Sequence, residues 1–226
     1  GDWSSDVCSS DLIDVGTNCE IILGNGEKIL ATAAPAGPAF EAASIKCGVR
    51  AAAGAIETVK VVDGKLEIGT IDSAPAIGIC GSGLVDAVAC LVQLGILDAS
   101  GKFNEVDDPN LVERDGEKIY MLTEDVFLSQ RDVRELQFAK AAIATGWALL
   151  AEEFGIQDSE IQQVLLAGSF GSYLSPASAV KIGLVPKISV LRIVSAGNVA
   201  GEGAKMALLR SEEHTSELQS PCNLVC

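Results

Sequence analysis

The chain has 226 residues, 48% of them hydrophobic and only 4% aromatic, and a net charge of −15. An acidic chain offers no basic face to nucleic acid, and solubility alone accounts for its charge. No apolar run approaches the roughly 18 residues that cross a bilayer, and one histidine with seven scattered cysteines makes no zinc or histidine-based catalytic pattern.

Asp2 to Leu12 reads DWSSDVCSSDL, and Arg210 to Ser220 reads RSEEHTSELQS. One legal codon choice for the first has a reverse complement that translates in frame as the second. The shared DNA resembles a sequencing-library adaptor. Residues 1–12 and 210–226 are therefore expected to lie outside the fold, leaving 13–209 as one domain with a sizeable core. The only histidine, His214, goes with these ends, as do Cys8, Cys222 and Cys226. Cys19, Cys47, Cys80 and Cys90 remain without a C-x-x-C pair, which predicts reduced thiols and a cytoplasmic location.

Residues 13–34 predict a strand, a tight bend at Asp14-Val15-Gly16-Thr17-Asn18 and a hairpin closed by Asn25-Gly26. Pro35 to Pro38 breaks it. Phe40 to Gly54 is Ala-rich and predicts part loop, part short helix. Ile56 to Ile71 reads as two strands around Asp63-Gly64, and Ala76 to Cys80 as a short strand. Gly81-Ser82-Gly83 opens a helix to about Leu94, with Leu84, Val88, Leu91 and Val92 at core spacing. Residues 98–128 are the most polar stretch and predict an exposed excursion around a hairpin.

Ser129-Gln130-Arg131-Asp132 is a capping-box signature for the longest helix, to about Phe154, which Gly155 closes. Val164 to Ala167 reads as a buried strand, turned by Gly168-Ser169-Phe170-Gly171. Ser175-Pro176 starts a further helix. Leu191 to Val194 is the expected last strand, and Asn198 to Leu209 a Gly/Ala-rich helix. This order predicts an α/β fold with a mixed sheet and helices on both faces.

The bend carries the most specific chemistry. Gly16 removes the Cβ that would block a phosphate, Thr17 and Asn18 offer donors, and Asp14 suits a hydrated Mg²⁺; an ordinary polar hairpin explains the same residues. No G-x-x-x-x-G-K-[ST] exists, so a P-loop is excluded. Gly81, Ser82 and Gly83 put free N–H groups and a helix dipole where an anion fits, or simply form a corner that needs small residues. Glycines at 168 and 171 would let a flat base or ribose lie against backbone. Glu135 and Lys140 either edge such a pocket or belong to a solvated helix face.

Taken in order, these motifs resemble the ATPase superfamily of acetate and sugar kinases, Hsp70 and actin, which implies a ribonuclease-H-like lobe. More narrowly, IDVGTNCEIILGN, AAPAGPAFEAASIKCGVRAAAGAIE, IGICGSGLVDAVACLVQLGILDASGKF, SQRDVRELQFAKAAI and VLLAGSFGSYLSPASAVKIGLVP resemble the C-terminal part of the corrinoid activation/regeneration proteins. That resemblance implies ATP and Mg²⁺ as ligands and a [2Fe-2S] cluster only in an N-terminal domain that this chain does not contain. It implies a corrinoid protein or corrinoid-dependent methyltransferase as partner, an electron donor and a possible homodimer, while the charge and the lack of a long apolar run set the expectation of no nucleic acid and no membrane. Asp14 to Asn18 match the second phosphate motif, Gly168 to Gly171 the adenosine motif, and Glu135 and Lys140 a looser adenosine-side position. Cys19 stands where the family phrase has Gly, and a Cβ there is expected to narrow the bend. A non-catalytic interaction module and a small-molecule kinase of the same superfamily are the rival readings.

Overall fold

A computed structural model describes residues 10–209. The chain opens with β1 (Ser10–Asp14), turns at Val15-Gly16-Thr17, and returns as β2 (Asn18–Gly24) and β3 (Ile29–Pro35), both pairings antiparallel. β1 thus starts upstream of the expected boundary at 13: Asp11 and Leu12, expected outside the fold, pair inside it. Far along the chain, β10 (Gln163–Ala167) and β11 (Ile193–Gly197) join in parallel, giving the order β11-β10-β1-β2-β3. This is the mixed sheet the motif order implies.

Between them come two smaller sheets. β4 (Ala55–Val62), β5 (Lys65–Thr70) and β6 (Gly78–Ile79) form one, and α1 (Gly81–Gln93) packs over β4. β7 (Leu111–Arg114), β8 (Glu117–Met121) and β9 (Phe127–Ser129) form the other, within the polar excursion. α1 is buried continuously from Gly81 to Leu91, so its polar members need partners. Asp86 accepts from Ser178 Oγ at 2.6 Å and from the Val59 N–H at 3.3 Å, tying α1 to its neighbours; burial still pushes its carboxyl upward.

α2 (Gln130–Phe154) starts at the expected capping box: Ser129 Oγ accepts from the Asp132 N–H at 3.2 Å, and Asp132 Oδ2 from the Ser129 N–H at 2.9 Å. Its inner face covers β2 and β3, where Gly146 admits the Ile21 side chain. Gly155, with φ 80°, ends it in the left-handed conformation that glycine tolerates.

A single turn α3 (Gly168–Gly171), then α4 (Pro176–Ile182) and, after β11, α5 (Val199–Leu209) complete the chain.

Two local expectations fail. Residues 40–54 form turns and no helix: Ala42 takes φ 58°, and Gly48 lies so close to the Ala42 carbonyl that a Cβ would sit 1.9 Å from it. The segment is instead held by its Lys46 N–H, which donates to Asp132 at the start of α2. The last strand begins at Ile193 rather than Leu191, because Ser189 Oγ caps a 3-10 turn over Val190–Arg192.

Candidate functional site

β1 and β10 run side by side in parallel, with Asp14 in register with Ala167. Their carboxyl ends therefore place the bend after β1 against the corner after β10. In open α/β sheets ligands bind outside the carboxyl ends of the strands. The Val15 N–H donates to the Ala167 carbonyl at 3.1 Å, which locks the two turns together. Gly168 (φ 85°) is the contact point: a Cβ there would stand 2.3 Å from Asp14 Oδ1. Only glycine lets the carboxylate occupy that place.

Gly16 and Asp14 are half-buried, whereas Thr17 and Asn18 are exposed. The bend is braced from both sides. The Gly37 N–H donates to the Thr17 carbonyl at 3.0 Å. Thr17 Oγ1 donates to Glu41 Oε1 at 2.6 Å. Cys19 does not narrow the bend, contrary to expectation. Its side chain is fully buried; Sγ accepts from the Gly16 N–H at 3.4 Å and donates to the Gly16 carbonyl at 3.1 Å. The Cβ points into the core, away from the open side. Burial, with smaller contributions from Glu20, Asp14 and Glu41, pushes the thiol up to about 11 against the lowering effect of the Gly16 hydrogen bond, so it is a packing group and not a nucleophile.

Beside the bend lies a cleft of about 660 Å³. One wall is aromatic: Phe40 and Phe170 pack with ring centroids 4.8 Å apart, tilted by 31°. Gly81 makes this possible, since a Cβ there would fall 2.4 Å from the Phe170 ring and 2.0 Å from the Phe40 carbonyl. The start of α1 opens into the same cleft through Gly81 and Ser82. Cys80, the N-cap, contributes no side-chain cap to the orphaned helix N–H groups. Ser82 Oγ is committed to the Glu57 carbonyl at 3.0 Å, and Gly83 permits close packing on Ile56, 2.2 Å from its carbonyl for a notional Cβ. Arg50, Glu41 and Glu57 supply charge around the rim, and Tyr173 stands exposed at the mouth.

Of the sequence-predicted residues, Asp14 and Gly168 meet where the two turns touch, Gly16, Thr17 and Asn18 form the bend beside them, and Gly81, Ser82 and Phe170 line the cleft; Ser169 and Gly171 belong to α3, and Gly83 and Gly171 pack inward against Ile56 and Leu166. Glu135 and Lys140 do not join them. Lys140 lies against Gly183 and faces a different cleft with Asp98 and Lys181, and Glu135 is not among the residues lining the site cleft. The reason is topological: α2 crosses β2 and β3, while the site is at β1 and β10. Sequence reasoning missed Phe40, Glu41, Arg50, Glu57 and Tyr173. The signal available was the conjunction of Phe, Glu and Arg inside an otherwise small-residue segment.

The sheet, the paired turns at its carboxyl edge and the aromatic-walled cleft beside them define an ATPase-type lobe of the actin and Hsp70 class. The family described as the C-terminal domain of RACo, the ASKHA domain, matches residues 10–223, and the chain belongs to that family. The corrinoid activation enzyme RamQ of Eubacterium limosum is 38% identical over 218 residues, which span 89% of this chain and 37% of the relative. The Co(II) methylated amine-specific corrinoid protein reductase of Methanosarcina barkeri is 29% identical over 209 residues, 83% of this chain and 36% of the relative. A solved reductive activator for corrinoid,iron-sulfur protein superposes with a TM-score of 0.81 at 36% identity, covering 95% of this chain and 36% of that one. The chain thus spans little more than a third of the length of these proteins.

Proposed function

We propose that this chain is the nucleotide-binding lobe of an ATP-dependent activator that returns a corrinoid protein from Co(II) to Co(I). The observation that carries the reading is the meeting of Asp14 with Gly168 at the carboxyl ends of β1 and β10, beside an aromatic-walled cleft. The residues fit a magnesium nucleotide. Asp14 would hold the metal or its water, Gly16 leaves room for phosphate, and Asn18 brings donors to it, while Thr17, whose hydroxyl is held by Glu41, would turn to the phosphate only by releasing that contact. The cleft between Phe170 and Arg50 suits a base, which aromatic faces and a guanidinium both stack. Glu57 and Glu41 are placed as acceptors for ribose hydroxyls. Bound nucleotide supplies differential binding energy between two arrangements of the larger protein, and so alters docking to the corrinoid partner. The [2Fe-2S] cluster would belong to the remainder of such a protein, and a separate electron donor would reduce it. The cytoplasm is the proposed setting, supported by four unpaired thiols among the described residues.

The test is reactivation by the intact protein. With a corrinoid partner and a reductant, ATP is expected to accelerate the appearance of Co(I). Phe170→Ala should weaken apparent ATP affinity by roughly tenfold through loss of the aromatic wall. Reactivation at full rate without nucleotide would overturn the proposal.

A further inference from the structure

We infer that Glu41 sets how strongly the cleft distinguishes a nucleoside triphosphate from a diphosphate, by holding the Thr17 hydroxyl that a terminal phosphate must take over. The inference rests on the reading of the cleft as a nucleotide site and adds to it the residue that reads phosphate number.

The bend after β1 and the wall of the cleft touch through side chains: Thr17 Oγ1 donates to Glu41 Oε1 at 2.6 Å, and both residues are exposed. The bend does not need this contact for its shape. The Gly37 N–H holds the Thr17 carbonyl at 3.0 Å, and the Val15 N–H holds the Ala167 carbonyl at 3.1 Å, so backbone bonds fix the turn from two sides. The hydroxyl can therefore change partner while the backbone around it stays in place.

Glu41, for its part, stands on a fixed wall. Exposed contacts of long side chains are usually worth little, because ordering them costs entropy. Here the flanking residues Phe40 and Ala42 are each 3% exposed. The Phe40 ring packs on Phe170, the Ala42 N–H donates to the Ala39 carbonyl at 3.0 Å, and the Lys46 N–H donates to Asp132 Oδ1 at 2.9 Å. The backbone that carries the carboxylate is thus set before any ligand arrives, which reduces the entropy lost in making the bond.

A threonine hydroxyl has a single proton to donate. It goes to Glu41 or to a phosphate oxygen, and not to both. A terminal phosphate that engages Thr17 gains one hydrogen bond and breaks another, leaving Glu41 Oε1 without its donor. A diphosphate that stops short of Thr17 leaves the bond intact. The pair therefore offsets part of the affinity that the terminal phosphate would otherwise add. It also gives the cleft wall a contact that is kept in one nucleotide state and lost in the other, and a ligand shifts a conformational equilibrium only through such differences.

Isothermal titration of the intact protein with magnesium ADP, and with the magnesium complex of the non-hydrolysable β,γ-imido analogue of ATP, gives the ratio of the two dissociation constants. Contacts common to both nucleotides cancel in that ratio. Glu41→Ala leaves Thr17 free and should shift the ratio about fivefold toward the triphosphate, the worth of an ordinary hydrogen bond. In a Thr17→Val background the same substitution should shift it by less than about twofold, because Glu41 acts through that hydroxyl, whereas simple charge repulsion would act additively. Glu41→Gln retains an acceptor and should shift the ratio less than alanine does. An unchanged ratio in Glu41→Ala, a shift that persists in full beside Thr17→Val, or a glutamine variant that matches alanine overturns the inference and leaves the nucleotide reading standing. Failure of the wild type to bind either nucleotide overturns both.

Discussion

Replacing Asp11 by valine is expected to stabilise the chain by about 4 kcal/mol at pH 8 and by far less at pH 4. Asp11 is 1% exposed, on the α2-covered face of β1, in register with Leu23 and Val164, which are equally buried. Neither carboxyl oxygen has a hydrogen-bond partner. Burial pushes its pKa up to about 7. The unfolded chain releases this proton near pH 3.9, whereas the folded chain keeps it until about pH 7. Between those values the native state binds more protons than the unfolded state, so stability falls as pH rises, by about 1.4 kcal/mol per unit, and is flat above. Urea denaturation across pH 4 to 8 measures this directly. The valine variant should lose that slope, and an identical slope in both proteins would contradict the assignment.

The second large effect is expected at Gly168. Alanine there would have to adopt φ 85° and would drive its Cβ to 2.3 Å from Asp14 Oδ1 and 3.0 Å from the Val15 carbonyl. The backbone strain costs about 1–3 kcal/mol. The larger consequence is chemical, because the carboxylate must leave its place beside the bend, and a displacement of about 1 Å in a positioned group can cost about a hundredfold. Gly168→Ala in the intact protein should therefore lower affinity for magnesium ATP by at least about tenfold. Gly203→Ala, where a Cβ meets nothing within 4 Å, is the control and should leave binding unchanged. Equal affinities in the two variants would contradict the contact between the two turns.

Much of this architecture is legible in the residues because the signals are local. Ser129 and Asp132 announce α2 within four positions, and Asn25-Gly26 lies at the reversal between β2 and β3. Gly95 and Gly155 close their helices by taking positive φ. What is not legible depends on pairing across long separations. The neighbourhood of Asp14 and Gly168 exists only because β10 inserts beside β1, and the same pairing buries Asp11. The misplacement of Glu135 and Lys140 has the same origin, since a helix sequence reveals its apolar face and not the strands beneath it. The turns of residues 40–54 are fixed by the contact of Lys46 with Asp132 and by the backbone approach at Gly48, which their alanine content conceals. That segment nevertheless brings Phe40, Glu41 and Arg50 to the cleft.

The central claim is that the carboxylate of Asp14 holds the metal-bound end of a nucleotide. Isothermal titration of the intact protein with ATP, with and without magnesium, against the Asp14→Asn variant tests it most directly. Asparagine keeps the size and removes the charge. Wild-type protein should bind magnesium ATP, and the variant should lose at least about tenfold in affinity and most of the magnesium dependence, as expected for a charged contact worth about 1.5–3 kcal/mol. Binding that is absent in the wild type, or undiminished in the variant, would contradict the account.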